Sequence, residues 1–324
     1  MTFTRRSFLS AGAALAASSA FHLPASAQTG VTRIVVGFTA GTTPDVLGRR
    51  VAEHLAKGHT RAAVVDNRAG AGGQLAVAAV KEAAADGSTI LLTPMSMLGV
   101  YPHTYDKLPY DPVADLAPVS TAVSFDYGIG VGPSVPESVK TIPDLIAWYK
   151  ANPDQATMAS PATGSTLHFV TVMLGRAGGV DIRHVGYRGS TPAIQDMLGG
   201  VIPALCTPLG TFLNQPKLRV LATCGAKRSP FTPDVPTLAE QGFADIVYDE
   251  WYGFFLPAKA SPDVVKRLNG ALHEALADPA ILETLATFGM EAAPSTPEQL
   301  AQALKVDLER WGPIVRSIGF KANS

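Results

Sequence analysis

The run Arg33-Ile34-Val35-Val36-Gly37-Phe38-Thr39-Ala40-Gly41-Thr42-Thr43-Pro44-Asp45-Val46-Leu47-Gly48-Arg49-Arg50 decides how this chain is read. Its β-branched opening, Ile34-Val35-Val36, suits a buried strand. The small residues Thr39 to Thr43 make a loop. Pro44 then suits the first position of a helix, with Thr43 as its cap and Asp45 in the electropositive first turn. Leu47, Val51 and Leu55 recur every four residues, which gives that helix one apolar face, and Gly58 can end it. A strand, a small-residue loop and a helix in this order present backbone N–H groups at the helix start, where an anion can sit.

The pattern recurs twice. Val64-Val65 lead into Asn67-Arg68-Ala69-Gly70-Ala71-Gly72-Gly73 and a helix from about Gln74. Thr157-Met158-Ala159 lead into Ser160-Pro161-Ala162-Thr163-Gly164-Ser165 and a helix from about Thr166. One such unit means only an α/β protein; three suggest loops that share one small anionic ligand.

The first 27 residues read as a targeting segment. Thr4-Arg5-Arg6-Ser7-Phe8-Leu9 has the twin-arginine pattern, an Ala/Gly/Ser-rich run follows, and Ala25-Ser26-Ala27 is an A-x-A cleavage site. The run is too short and too weakly apolar to span a membrane. Export to the periplasm is expected, by the twin-arginine route or by Sec. About 300 residues then remain, enough for two domains. The whole chain carries 26 basic and 27 acidic residues with no basic run, which argues against nucleic acid and anionic membranes as partners. Apolar residues at 47% against 16% charged suit a large α/β core. Cys206 and Cys224 lie on apolar strand-like runs without metal-binding spacing, and are expected as buried free thiols.

Along the chain, Thr89 to Thr93 is a third strand ending at Pro94-Met95-Ser96-Met97. Tyr101 to Pro118, rich in Pro, Asp and Tyr, reads as a long surface connection. Ser124 to Val131 is extended, and Pro143 to Lys150 is a helix capped by Thr141. A second strand–helix cycle runs from Ala156 to Thr223, and a proline-punctuated link starts at Ser229. Tyr248 to Leu256 is an extended aromatic run, and amphipathic helices follow at Pro262–Ala277 and Pro297–Ile318. That tail is expected to pack back on the first half, so the chain crosses between two lobes near Ala122–Gly132 and near Ala244–Leu256. Two crossings make a hinge.

Enzymatic alternatives fare poorly. Ser165 and His168 lie at a helix start with His184 near in sequence, but G-x-S-x-G is absent, so a periplasmic serine hydrolase using Ser165 is the minor alternative. Gly70-Ala71-Gly72-Gly73-Gln74-Leu75 lacks the third small residue of a dinucleotide fingerprint, and no phosphate loop is present. The histidines show no metal spacing. No catalytic residue, cofactor or metal is expected. Arg68 and Arg188 are as well explained by loop support as by carboxylate pairing.

Taken in order, these motifs resemble the Bug family, the extracytoplasmic receptors of tripartite tricarboxylate transporters, over essentially the whole mature chain. Ala40 to Arg49 is similar to the family's P-G-G-x-x-D-x-x-A-R loop, and Asn67 to Gly73 to N-R-P-G-A-G-G. Ser160 to His168 is similar to S-x-G-x-G-S-x-x-H. His184 to Gly189 followed by Pro192-Ala193 is similar to H-V-P-Y-K-G-x-x-P-A. Pro233 to Thr237 with Glu240 and Gly242, then Trp251-Tyr252-Gly253 and Pro257, complete the set. The resemblance implies a two-lobed α/β periplasmic binding protein of type II with two crossovers. Residues 28–122 plus 245–324 would form one lobe and residues 123–244 the other, as a monomer. A small carboxylate would be clamped between them for delivery to membrane permease subunits, or sensed by docking on a histidine-kinase ectodomain.

The expected ligand-binding residues are Phe38, Ala40, Gly41, Thr42 and Asp45 from the first loop and Ala71, Gly72 and Gly73 from the second. Ser96 closes the third strand. Ser160, Thr163, Gly164, Ser165, Thr166 and His168 come from the later loop, and Tyr187 and Thr207 from beyond it. The chain departs from the family pattern at Ala40, Thr42, Pro44, Pro161 and Ala162. Pro203 and Thr207 stand where many relatives carry aspartate. Loss of a carboxylate there argues against an ammonium group on the ligand. An amine-free mono- or dicarboxylic acid is expected, with an apolar or aromatic body beside Phe38 and Tyr187.

Overall fold

The computed structural model describes residues 29–322, and the export signal read over residues 1–27 lies outside them. The opening unit forms as its pattern demands: β1 (Thr29–Val36), α1 (Thr43–Leu55), β2 (Thr60–Asn67), α2 (Gln74–Lys81) and β3 (Thr89–Pro94). β1 lies between β2 and β3, parallel to both. Ile34, Val35 and Val36 are all buried, as expected of a strand covered on both faces.

After β3 the chain makes a wide helical turn at Ser96–Val100 and runs into the short helix α3 (Tyr101–Thr104). The surface connection expected over Tyr101–Pro118 is therefore corrected. Tyr101 and Tyr110 are buried, and the Tyr110 hydroxyl donates to the Met97 carbonyl at 2.6 Å. The Pro and Asp residues make turns, but the rings need cover and pull the segment inward.

The long strand β4 (Leu116–Val131) starts eight residues before the extended run expected from Ser124. The second cycle follows as α4 (Ile142–Ala151), β5 (Thr157–Ser160), α5 (Thr166–Gly178), β6 (Arg183–Gly186), α6 (Ser190–Leu198), β7 (Ala204–Pro208), the single turn α7 (Gly210–Leu213) and β8 (Arg219–Thr223). Thr141 caps α4 in a reciprocal box with Asp144, as the sequence suggested. The last stretch supplies β9 (Asp249–Pro257), α8 (Pro262–Leu276), α9 (Pro279–Thr287), β10 (Met290–Ala292) and α10 (Pro297–Ile318).

Sheet order is β2-β1-β3-β9-β4-β7-β5-β6, with β8 and β10 also on β4. β4 is the joint. Its Leu116–Asp126 portion pairs antiparallel with β9, and Tyr127–Val131 pairs with β7 and β8. β9 runs back through the joint and pairs with β3. The tail packs on the first half: the Asn269 side-chain amide donates to the Val119 carbonyl at 2.8 Å. Cys206 and Cys224 are buried free thiols, Cys206 on β7 and Cys224 just past the end of β8, both strands pairing with β4. Their mutual contact, with burial, pushes the Cys224 thiol up.

Candidate functional site

A cavity of about 300 Å³ opens at the joint, within the usual range for a small-molecule site. Three helix starts border it. Thr42, Thr43 and Pro44 come from α1, Ser165 and Leu167 from α5, and Gly189, Ser190 and Thr191 from α6. None of the three has a side-chain cap on its first turn. Thr42, not Thr43, is the cap residue of α1, and its hydroxyl donates to the Thr39 carbonyl instead. The Ser165 hydroxyl likewise donates to the Ala162 carbonyl, at 2.7 Å. Helix N-termini left in this state favour a negative charge in front of them.

The first loop is held from behind. Asp45 is buried, and its carboxylate accepts from the Gly41 N–H at 2.8 Å, from the Asn67 amide at 2.9 Å and from the Arg49 guanidinium. Burial pushes its pKa up, but the bonds from Arg49, Gly41 and Asn67 outweigh this and hold it below the usual carboxylate range. Asp45 thus shapes the loop rather than lining the cavity.

The later loop has its own support. The Gly164 N–H donates to His168 Nδ1 at 3.2 Å, and the His168 ring stacks on His184 at 3.8 Å. His184 Nε2 lies 2.7 Å from the Ser160 hydroxyl. Burial lowers His168 to about 4, and burial together with His168 lowers His184 to about 3, so both rings are neutral at pH 7.

Of the residues expected at the site, Phe38, Gly41, Thr42, Ser96 and Ser165 line the cavity. Asp45, Ser160, Gly164, Thr166 and His168 are buried outside the lining, and Ala40 and Thr163 are exposed outside it. The Tyr187 hydroxyl is turned to Asp196 at 2.6 Å, and the Thr207 hydroxyl backs Ser190 at 2.7 Å. The second loop, Ala71, Gly72 and Gly73, does not reach the cavity. Gly73, at φ +94°, packs against Gly37, where a Cβ on Gly37 would lie 2.8 Å from the Gly73 Cα. That glycine-rich turn serves close packing behind the first loop, while the Gly72 carbonyl accepts from the Tyr101 hydroxyl at 3.1 Å. The third helix start at the cavity is α6, not α2. Arg68 pairs with Asp66, and neither Arg68 nor Arg188 lines the cavity.

Sequence reasoning missed the cavity's floor. Tyr101, Phe125, Tyr127, Tyr252 and Glu250 line it, with Phe288, Asn214 and Gln215 at other points of the wall. Phe125 and Glu250 face each other in register across β4 and β9. Among the described residues of the lining there is no lysine, arginine or histidine, and Glu250 is the one carboxylate. No acid stands at Pro203 or Thr207, as the sequence shows, but β9 brings one to the lining from elsewhere, Glu250.

An α/β chain whose two sheets share one long strand, with a second strand crossing back and a cavity at the joint, defines a two-lobed binding protein of the double-crossover kind. The periplasmic binding protein BugD has this fold, with a TM-score of 0.82 at 29% identity over 91% of this chain and 99% of that one. A model of the tripartite tricarboxylate transporter family receptors matches residues 47–320, and the chain belongs to that family. Protein BugT of Bordetella pertussis is 33% identical over 94% of this chain and 95% of its own. The structure of R. palustris Rpa4515 with adipate superposes with a TM-score of 0.84, at 28% identity, over 90% of this chain and 98% of that one.

Proposed function

We propose that the protein is a periplasmic solute-binding receptor that captures a small, amine-free organic carboxylate between two lobes and delivers it to the permease of a tripartite tricarboxylate-type transporter. The observation that carries this is the convergence of three uncapped helix starts on one cavity whose lining holds no basic side chain. Backbone N–H groups and helix dipoles can bind a carboxylate without arginine. The adipate held by Rpa4515 is a carboxylate of fitting size for such a cavity.

In this reading residues 28–122 with 245–324 form one lobe, residues 123–244 the other, and β4 and β9 bend between them as the lobes close on the ligand. Residues 1–27 direct export, and the mature protein acts as a monomer without catalysis or cofactor. Calorimetric titration with straight-chain mono- and dicarboxylates from four to eight carbons, of the size class of adipate, tests it. One-to-one binding with the acid recovered unchanged is expected. Conversion of the acid, or binding by none of the series, would overturn it.

A further inference from the structure

Glu250 is an acid placed where an anion is expected. It is 2% exposed, on the floor of the cavity. Its Oε2 accepts from the Ser96 hydroxyl at 3.0 Å and from the Tyr127 hydroxyl. The Ser96 hydroxyl is also 3.1 Å from the Thr166 hydroxyl, so one network joins the end of β3, the crossing strands and the start of α5. Oε1 makes no hydrogen bond within the protein. A buried carboxyl oxygen without a partner costs free energy unless something completes it.

The surroundings decide what that something is. Rings of Phe125, Tyr127 and Tyr252 enclose the group, and Asp307 from α10 adds a negative charge that disfavours ionisation. Asp126 and Asp249, paired across β4 and β9 at the next position, bring two more acids to the joint. No cation faces Glu250 from the cavity lining. An ionised Glu250 would repel the anion that the helix starts attract. A neutral Glu250 has both Oε2 bonds already accepted, leaving the proton on Oε1 free to be donated.

Resting on the carboxylate reading above, we propose that Glu250 is a specificity-determining residue that donates a hydrogen bond from Oε1, as a neutral carboxylic acid, to an oxygen of the bound organic acid. The ligand is then selected for an acceptor at this end, and an ammonium group finds no counter-ion. Burial, reinforced by Asp307, pushes the Glu250 carboxyl up to about 8 against the pull of the Ser96 hydroxyl and nearby backbone N–H groups. Of the other groups around it, burial raises the Tyr101 and Tyr252 phenols and the Asp307 carboxyl, burial and then Asp249 raise Asp126 to about 6, and burial lowers the His168–His184 pair to about 4 and about 3.

The test is calorimetric titration of the same four-to-eight-carbon acids between pH 6 and 9.5, in two buffers of different ionisation heat. Affinity is expected to hold to about pH 8 and then fall about tenfold per pH unit, with proton uptake on binding in the falling range. Glu250→Gln keeps a donor but has no proton to lose, so its profile should vary by no more than about twofold. A pH-independent wild type, or E250Q retaining the wild-type slope, overturns the assignment while leaving the carboxylate reading intact. Binding of amines, strengthening as pH rises and lost in E250Q, would overturn both, as would failure of every acid to bind. Infrared spectroscopy of the unliganded wild type needs no variant to fold. A protonated-carboxyl band at pH 7 that vanishes by about pH 9.5 is expected, and its absence at pH 7 overturns the proposal.

Discussion

Asp45 shows how one buried side chain sets the form of the first loop. Replacing it with alanine removes the acceptor of the Gly41 N–H, of one side of Arg49 and of one of the two bonds that the Asn67 amide donates, the other going to the Phe38 carbonyl. Asp45→Ala should cost about 2–3 kcal/mol in urea unfolding, the scale of losing hydrogen bonds to a buried charge. Because its folded pKa is lowered, the stability it contributes is present above the ordinary carboxylate range and fades as pH falls through the folded value. The stacked histidines behave with the same sign for a different reason. They are neutral when folded, at about 4 and about 3, whereas unfolded histidine takes up its proton near ~6.5. Unfolding therefore binds protons below that pH, and stability should fall by roughly 2–4 kcal/mol between pH 7 and 5. Urea titrations at the two pH values check this, and His184→Asn should remove about half of the loss.

At the scale of elements, the parts legible from sequence were those whose pattern and burial agree. The β-branched start of β1, the Leu47–Val51–Leu55 stripe of α1 and the Thr141 cap of α4 all fold as read. Short elements escaped: α9 and β10 hold too few residues for a period to show. The second glycine-rich loop misled because glycine serves close backbone packing as readily as ligand contact, and here Gly73 meets Gly37. Gly189, which opens α6 onto the cavity, sits within a motif from which Tyr187 is expected at the site and Arg188 is weighed, but the glycine is not. Gly210 marks another close approach, since a side chain there would strike the Phe288 backbone, and both residues line the cavity. This contact joins the start of α7 to the residue that ends α9. Gly210→Val should hold the two apart, weakening ligand affinity at least tenfold with a larger radius of gyration in X-ray scattering. An unchanged radius with unchanged affinity would show that the two elements do not close on one another.

For the whole molecule, the lobed plan could be read from two strand–helix cycles joined by two extended crossings. The identity of the floor could not. Glu250 stands between Asp249 and Trp251 on an aromatic strand, where alternation puts it on the apolar face of Tyr252, Phe254 and Leu256 but gives no sign that this face meets a cavity. It faces a cavity only because β9 and β4 pass together through the joint, which is a property of the assembled sheet and of no local window. The same holds for the convergence of α1, α5 and α6, whose starts are far apart in the chain. That convergence makes a free carboxylate the ligand's defining group. The most direct measurement is calorimetric binding of the tightest acid beside its fully methyl-esterified form, which removes the negative charge while keeping the carbon skeleton. The acid should bind one-to-one and the ester at least 100-fold more weakly; equal binding of the two would contradict the account.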